Sequence, residues 1–339
     1  MKKKYINVKT CIVCLVLTVG CSMLHSCNKD SDPNVIESGV TGALTWKLTA
    51  DSVLTISGEG AMFDYEFDSN TKSISAPWYA WRDFIKTVVI ASGVTNIGNN
   101  AFHGCTGLTS VTIPNSITKI GFSTFQLCIN LASILVDKGN NNFSSQDGIL
   151  FNKEKNELIQ YPAGKQDTSY TIPNSVTEIG NSAFAYCSAL TSVAIPNTIT
   201  SIGEFAFREA VLTSVTIPNS VTEIGEGAFH ACFMLTSVAI PNTIKSIRYR
   251  TFFLCDRLTS ITIPNSVIEI GESAFSYCYG LTEITVEATT PPNNIGTSFH
   301  GNFWEVNRAI PVYVPQGSLQ DYKEADGWKE FINLQGKNF

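Results

Sequence analysis

Histidine is scarce in this chain: four in 339 residues, at His25, His103, His230 and His300. No HExxH segment is present to set two rings on one helix face, so an imidazole-held metal is not signalled. Charge is scarce as well, at 15% of residues, and it leans acidic. Lys2, Lys3, Lys4 and Lys9 all precede Cys27, leaving nineteen basic against twenty-nine acidic residues beyond it. That balance disfavours adsorption to nucleic acid or anionic lipid. No Walker loop, GxSxG elbow or dinucleotide-type glycine run stands at a useful strand–turn–helix junction. Glu178, Glu223 and Glu269 recur at one place, but intervening coils interrupt the column and no acid–base pair across a sugar follows. The chain reads as a non-enzyme with no cofactor, no metal and no catalytic residue.

Long apolar runs are also missing. Cys11 to Leu24 (CIVCLVLTVGCSML) is fourteen residues; as a helix it spans about 21 Å, short of a hydrocarbon core near 30 Å. With the lysines before it, the run reads as a secretory signal to be set aside from the fold. LHSC, Leu24 to Cys27, resembles a bacterial lipobox, which makes Cys27 the expected lipidation site and residues 1–27 the signal segment. NKDSD, directly after it, resembles the export tag of Bacteroidetes surface lipoproteins. Residues 28–38 are polar and read as a tether. The expected location is therefore the outer membrane, lipid-anchored and facing outward.

What the sequence has in abundance is one phrase. IPNS or IPNT recurs with its proline at Pro114, Pro173, Pro196, Pro218, Pro241 and Pro264, at spacings of 22 or 23 residues apart from one gap of 59. Phe102, Phe125, Phe184, Phe207, Phe229, Phe252 and Phe275 keep step, as do Leu108, Leu131, Leu190, Leu212, Leu235, Leu258 and Leu281. A period of this length with this spacing of Leu, Val and Ile is a leucine-rich-repeat signature. In LTSVTIP the apolar residues alternate with Ser and Thr, a short strand with one buried face. Proline, lacking an N–H, ends the strand. VTEIG supplies a second pair of apolar anchors and a glycine read as a tight bend; NSAFAYC is read as about one helical turn. One coil cannot hide these groups, whereas stacked coils bury them against each other.

The predicted fold is an α/β solenoid, mostly β, with coils of about 23 residues and a parallel sheet on one face. Residues 85–285 form the leucine-rich-repeat solenoid, with a hairpin insertion at about 137–170 projecting from one coil. Residues 39–84 form an N-terminal cap with a β-hairpin, rich in Trp78, Tyr79, Trp81 and Phe84. Residues 286–339 form a C-terminal cap with a last strand, a short helix, and Tyr322, Trp328 and Phe331 as its seal. Cys105, Cys128, Cys187, Cys232, Cys255 and Cys278 share one column in which Ala210 also sits, so they are expected to be free, buried thiols.

The repeats, the DGILFNK segment and the ending VYVPQGSLQDYKEADGWKEF resemble the BspA-like leucine-rich-repeat surface proteins of gut and oral Bacteroidetes, over about residues 40–335. That resemblance implies an adhesin-like module recognising a host or neighbouring-cell protein, and carries no ligand-binding residue over. Glycan capture, with Trp78, Tyr249 or Trp304 as stacking rings, and a structural role beside an envelope partner are the alternatives. Two candidate surfaces follow from the residues. One is the hydroxyl-rich sheet face, including Ser192, Ser214, Thr216, Ser237, Ser260 and Thr262. The other is a basic-aromatic group of Arg208, Lys245, Arg248, Tyr249, Arg250 and Arg257, suited to an acidic protein or glycan. No nucleic-acid partner is expected.

Overall fold

A computed structural model describes residues 34–294 and 302–339. The signal segment and Cys27 lie outside the described residues. Among the described residues no helix is long and apolar enough to cross a membrane.

The chain from Asn34 onward is a mostly-β solenoid of coils of about 23 residues. Each coil contributes one strand to a parallel sheet: Ser110–Ile113, for example, pairs in register with Ser133–Val136, Val111 opposite Ile134. Val111 and Ile113 point inward and are buried, while Thr112 between them is exposed, so the period-2 alternation decides which face meets solvent. After the proline turn comes a two-residue strand on a second face, where Glu178–Ile179, Ser201–Ile202 and Glu223–Ile224 pair in parallel.

The third face differs from its sequence reading. The segment around each repeat phenylalanine is a run of turns, not a helix. Two residues before and two after the ring, the backbone is left-handed: φ is +56° at Ser182, +64° at Tyr186, +52° at Arg250 and +59° at Leu254. Such φ values strain non-glycine residues. They persist because alternate amides reach the next coil: Ser182, Phe184 and Tyr186 donate to the carbonyls of Glu204, Ala206 and Arg208 at 2.7–2.8 Å. The repeat glycine is not where the left-handed turn lies. Gly203, Gly225 and Gly271 have φ outside that region, and a Cβ there would stand 2.5–2.6 Å from an atom of the preceding coil. Their role is clearance between coils.

The rings form a column. Tyr161, Phe184, Phe207, Phe229, Phe252, Phe275 and Phe303 stack at centroid spacings of 5.0–5.5 Å, and Trp328 closes the end at 5.5 Å from Phe303. A shorter stack, Trp78, Phe102 and Phe125, stands at the N-terminal end. Trp78 is fully buried and donates from its indole N–H to Ala101 O at 2.8 Å, so it seals the cap and offers no stacking platform to a glycan. At the other end the Tyr322 hydroxyl donates to Ala288 O at 2.8 Å, and the short helix Leu319–Glu324 holds that tyrosine in place.

All six cysteines of the solenoid are free and buried, and four of them do more than fill space. The thiols of Cys128, Cys232, Cys255 and Cys278 point to the carbonyl of the preceding coil's Phe102, Phe207, Phe229 and Phe252 at 3.0–3.3 Å. Burial pushes the Cys105 thiol up to about 12, which leaves it unreactive at neutral pH.

The insertion does not project. Phe143–Gln146, Ile149–Asn152 and Glu157–Gln160 form an antiparallel meander, and the last of these pairs in parallel with Glu178–Ile179. Its first turn is Asp147-Gly148 with φ of +53° and +78°, the pairing favoured in two-residue hairpins. Gly148 O accepts from Ile134 N–H at 2.8 Å, so the hairpin lies along the Ser133–Val136 strand and ends that sheet. Leu150 faces one apolar cluster, while Ile149 and Phe151 belong to the other; the insertion is a wedge between them. At the N-terminal edge, Val35–Thr41 pairs antiparallel with Leu44–Thr49, so the first strand takes up the last residues of the segment read as a tether. An edge strand joined through backbone hydrogen bonds needs no apolar alternation of its own.

Candidate binding surface

The sheet face is not uniform. The coil from Pro196 to Pro218 is one residue shorter than its neighbours. There the ladder divides: Ser192–Ala194 pairs back with Ser169–Thr171, and Ser214–Thr216 pairs forward with Ser237–Ala239. Thr213 N–H still donates to Thr191 O at 3.1 Å, tying the two coils at the foot of the strands. Above that tie the face opens into a hollow of about 620 Å³ lined by Ser192, Ala194, Asn197, Ser214, Thr216 and Pro218, among others. Its lining carries no charged side chain, so a partner entering it strips water from hydroxyl and apolar groups rather than from ions.

Of the hydroxyl residues singled out in the sequence, Ser192, Ser214 and Thr216 line this hollow and Ser237 pairs with Ser214 beside it. Ser260 and Thr262 belong to a different sheet segment, opposite Glu283 and Thr285, and do not join them.

The basic-aromatic residues are spread around the coil. Arg248 is paired with Glu223 at 2.8 Å and Arg208 with Glu209 at 3.3 Å. Lys245 and Arg257 are exposed. Tyr249 and Arg250 do meet: the guanidinium lies 4.8 Å from the Tyr249 ring and 4.9 Å from Phe253. Phe253 in turn stacks on His230 at 5.1 Å. His230, which no sequence motif singles out, sits in this group. Burial, then the charges of Arg208 and Arg250, bring its pKa down to about 4. The sign of the consequence follows. The unfolded chain takes up a proton at His230 near pH 6.5 and the folded chain does not until about pH 4, so stability falls as pH drops through that window. His230→Gln should remove about 1 kcal/mol of that acid sensitivity, since the site is partly screened by solvent. Urea midpoints of both proteins at pH 7 and pH 4.5 check this; parallel shifts would refute it.

Among the described residues, no group of three His, Cys, Asp or Glu could hold a metal ion. The glutamate column is broken in the short-strand ladder, where Glu178 pairs with Ser201 and Ser201 with Glu223.

A family model described as BspA type Leucine rich repeat region matches residues 71–162 and 163–282, in six copies. No curated protein matches the chain. Among solved structures, a leucine-rich repeat protein from Eubacterium ventriosum is 24% identical, with 83% of this chain and 94% of that one covered and a TM-score of 0.47. The pneumococcal vaccine antigen PcpA is 16% identical over 89% of this chain and 97% of its own, with a TM-score of 0.47. A leucine-rich repeat protein from Bacteroides ovatus is 21% identical over 88% and 76%, with a TM-score of 0.36.

Proposed function

Because this chain belongs to the family of BspA-type leucine-rich-repeat proteins, we propose that it is a binding protein of the bacterial cell surface that recognises a host or neighbouring-cell protein. The leucine-rich-repeat solenoid is the scaffold typical of non-catalytic binding proteins, a rigid surface built by repetition. The observation that carries the reading is the uncharged hollow where the sheet divides, with Ser192, Ser214 and Thr216 at its rim. A loop or turn of a partner can seat there, with hydroxyls to meet its backbone and the part-exposed Ile195 and Pro218 to meet its apolar side chains. Lipidation at Cys27 and outward display complete the proposal; LHSC and NKDSD support them.

The test is a binding screen of the soluble chain beginning at Ser31 against matrix proteins and native envelope extracts. Saturable binding to a protein is expected. Thr216→Arg should weaken it at least ~10-fold, about 1.4 kcal/mol, by placing a charge in an uncharged seat, whereas Ser260→Arg outside the hollow should leave it unchanged. Binding indifferent to Thr216→Arg removes the hollow from the account, and reproducible substrate turnover removes the whole reading. Protease shaving of intact cells tests the outward display.

A further inference from the structure

The wedge inserted between the two apolar clusters leaves a second concavity, away from the sheet face. Lys119–Ile120 ends one three-stranded ladder and Glu157–Gln160 stands in the next. Between them is a cleft of about 250 Å³. The Phe125 coil lends it Phe122 and Gln126, the hairpin coil lends Glu157, and the coil beyond lends Asn181 and Ser182.

Two of these side chains lack what a packed interior gives. Ser182 is 6% exposed, yet its hydroxyl has no hydrogen-bond partner in the chain, a condition that buried polar groups rarely keep. Glu157 lies over Gly180, where an added Cβ would come within 3.2 Å of its Oε1. Burial and the nearby charge of Glu178 raise its pKa, and no cation contributes to that shift. Phe122, at 54% exposure, is a large ring left bare at the rim.

We propose that this cleft binds a single neutral sugar residue, with Glu157 and Asn181 on its hydroxyls, Phe122 against its apolar face, and Ser182 turning about its Cα–Cβ bond to bring its enclosed hydroxyl into the cleft and complete the hydrogen bonds. The lining selects for that chemistry. An anion would meet the carboxylates of Glu157 and Glu178 with no counter-charge. A purely apolar ligand would leave Ser182 and Glu157 unpaired, which costs more than it gains. A sugar offers donors to the carboxylate, acceptors to the amide and hydroxyl, and a C–H face to the ring. At about 250 Å³ the cleft is smaller than the roughly 300 Å³ at which pockets for drug-sized ligands begin, the scale of one pyranose with its hydroxyls rather than of an oligosaccharide. The site is independent of the sheet-face hollow, so either reading can fail without the other.

The experiment uses the soluble chain beginning at Ser31 and the methyl glycosides of glucose, galactose, mannose and N-acetylglucosamine, titrated by calorimetry and ligand-observed NMR. At least one should bind saturably with a dissociation constant of millimolar order. Ser182→Ala should weaken that binding ~10-fold. Phe122→Ala, at an exposed position that leaves the coil packing intact, should do the same with an unchanged unfolding midpoint, and decides the matter should the serine variant fail to fold. Absence of saturable binding by all four glycosides overturns the proposal. So does binding that both variants leave untouched, and so does uptake of n-butylammonium without any glycoside, which would mark the cleft as a cation site built on Glu157.

Discussion

Phe207→Ala should cost about 3–5 kcal/mol of unfolding free energy, the range for deleting a fully buried aromatic ring. Phe207 is 0% exposed and lies between Phe184 at 5.0 Å and Phe229 at 5.2 Å, the planes within 8° and 4° of parallel. Two ring contacts go at once, each adding about 0.5–1.5 kcal/mol beyond area burial. The cavity cannot collapse easily, because both neighbouring coils are hydrogen-bonded to this one along the ring face and the short-strand ladder. In a solenoid each coil touches only its neighbours, so the loss is local and should separate the unfolding of the two flanking segments. Denaturation followed by fluorescence and by circular dichroism should give transitions that no longer coincide. Phe125→Ala should cost less, since that ring stacks on Phe102 alone. A loss below 1 kcal/mol for Phe207→Ala would falsify the ring column as the spine of the fold.

Gly203→Ala should destabilise by about 1–3 kcal/mol through overpacking, although alanine ordinarily stabilises by restricting the unfolded chain. The new Cβ would lie 2.6 Å from Asn181 Oδ1 and 2.7 Å from Asn181 N. Backbone at that distance cannot swing aside, so the coils must part. The chain contains the same experiment in reverse. Arg248 occupies the glycine's place one coil before Gly271, and there the short-strand ladder divides: Glu223–Ile224 ends one sheet and Ser246–Ile247 begins another. The Arg248 side chain pairs with Glu223 at 2.8 Å across the division, but an exposed pair contributes only about 0–1 kcal/mol. Arg248→Gly should therefore be neutral or stabilising, with slower amide exchange at Ile247 as the ladder closes. Equal destabilisation by Gly203→Ala and Arg248→Gly would separate the glycine from coil spacing.

Much of this molecule is determined by its sequence alone, for a physical reason. Neighbouring coils meet in register, so the residues that touch between coils are copies of one another. The alternation in LTSVTIP, the phenylalanine and cysteine columns, and the aromatic ends each state within one repeat what they do in all. The same reasoning fails wherever the outcome depends on how far apart two coils stand, because no single coil carries that information. Tyr161 takes the place of a repeat phenylalanine and joins the ring column, but the broken period hides it; Asp147-Gly148 was the local signal that this stretch folds back. The glycine looks like a bend until the preceding coil is seen against it. The missing residue between Pro196 and Pro218 is plain in the spacing, yet the hollow beside it and the cleft at the wedge exist only once the coils are stacked. Repetition determines the coil; the tertiary structure decides the gaps between coils, and both candidate binding sites lie in those gaps.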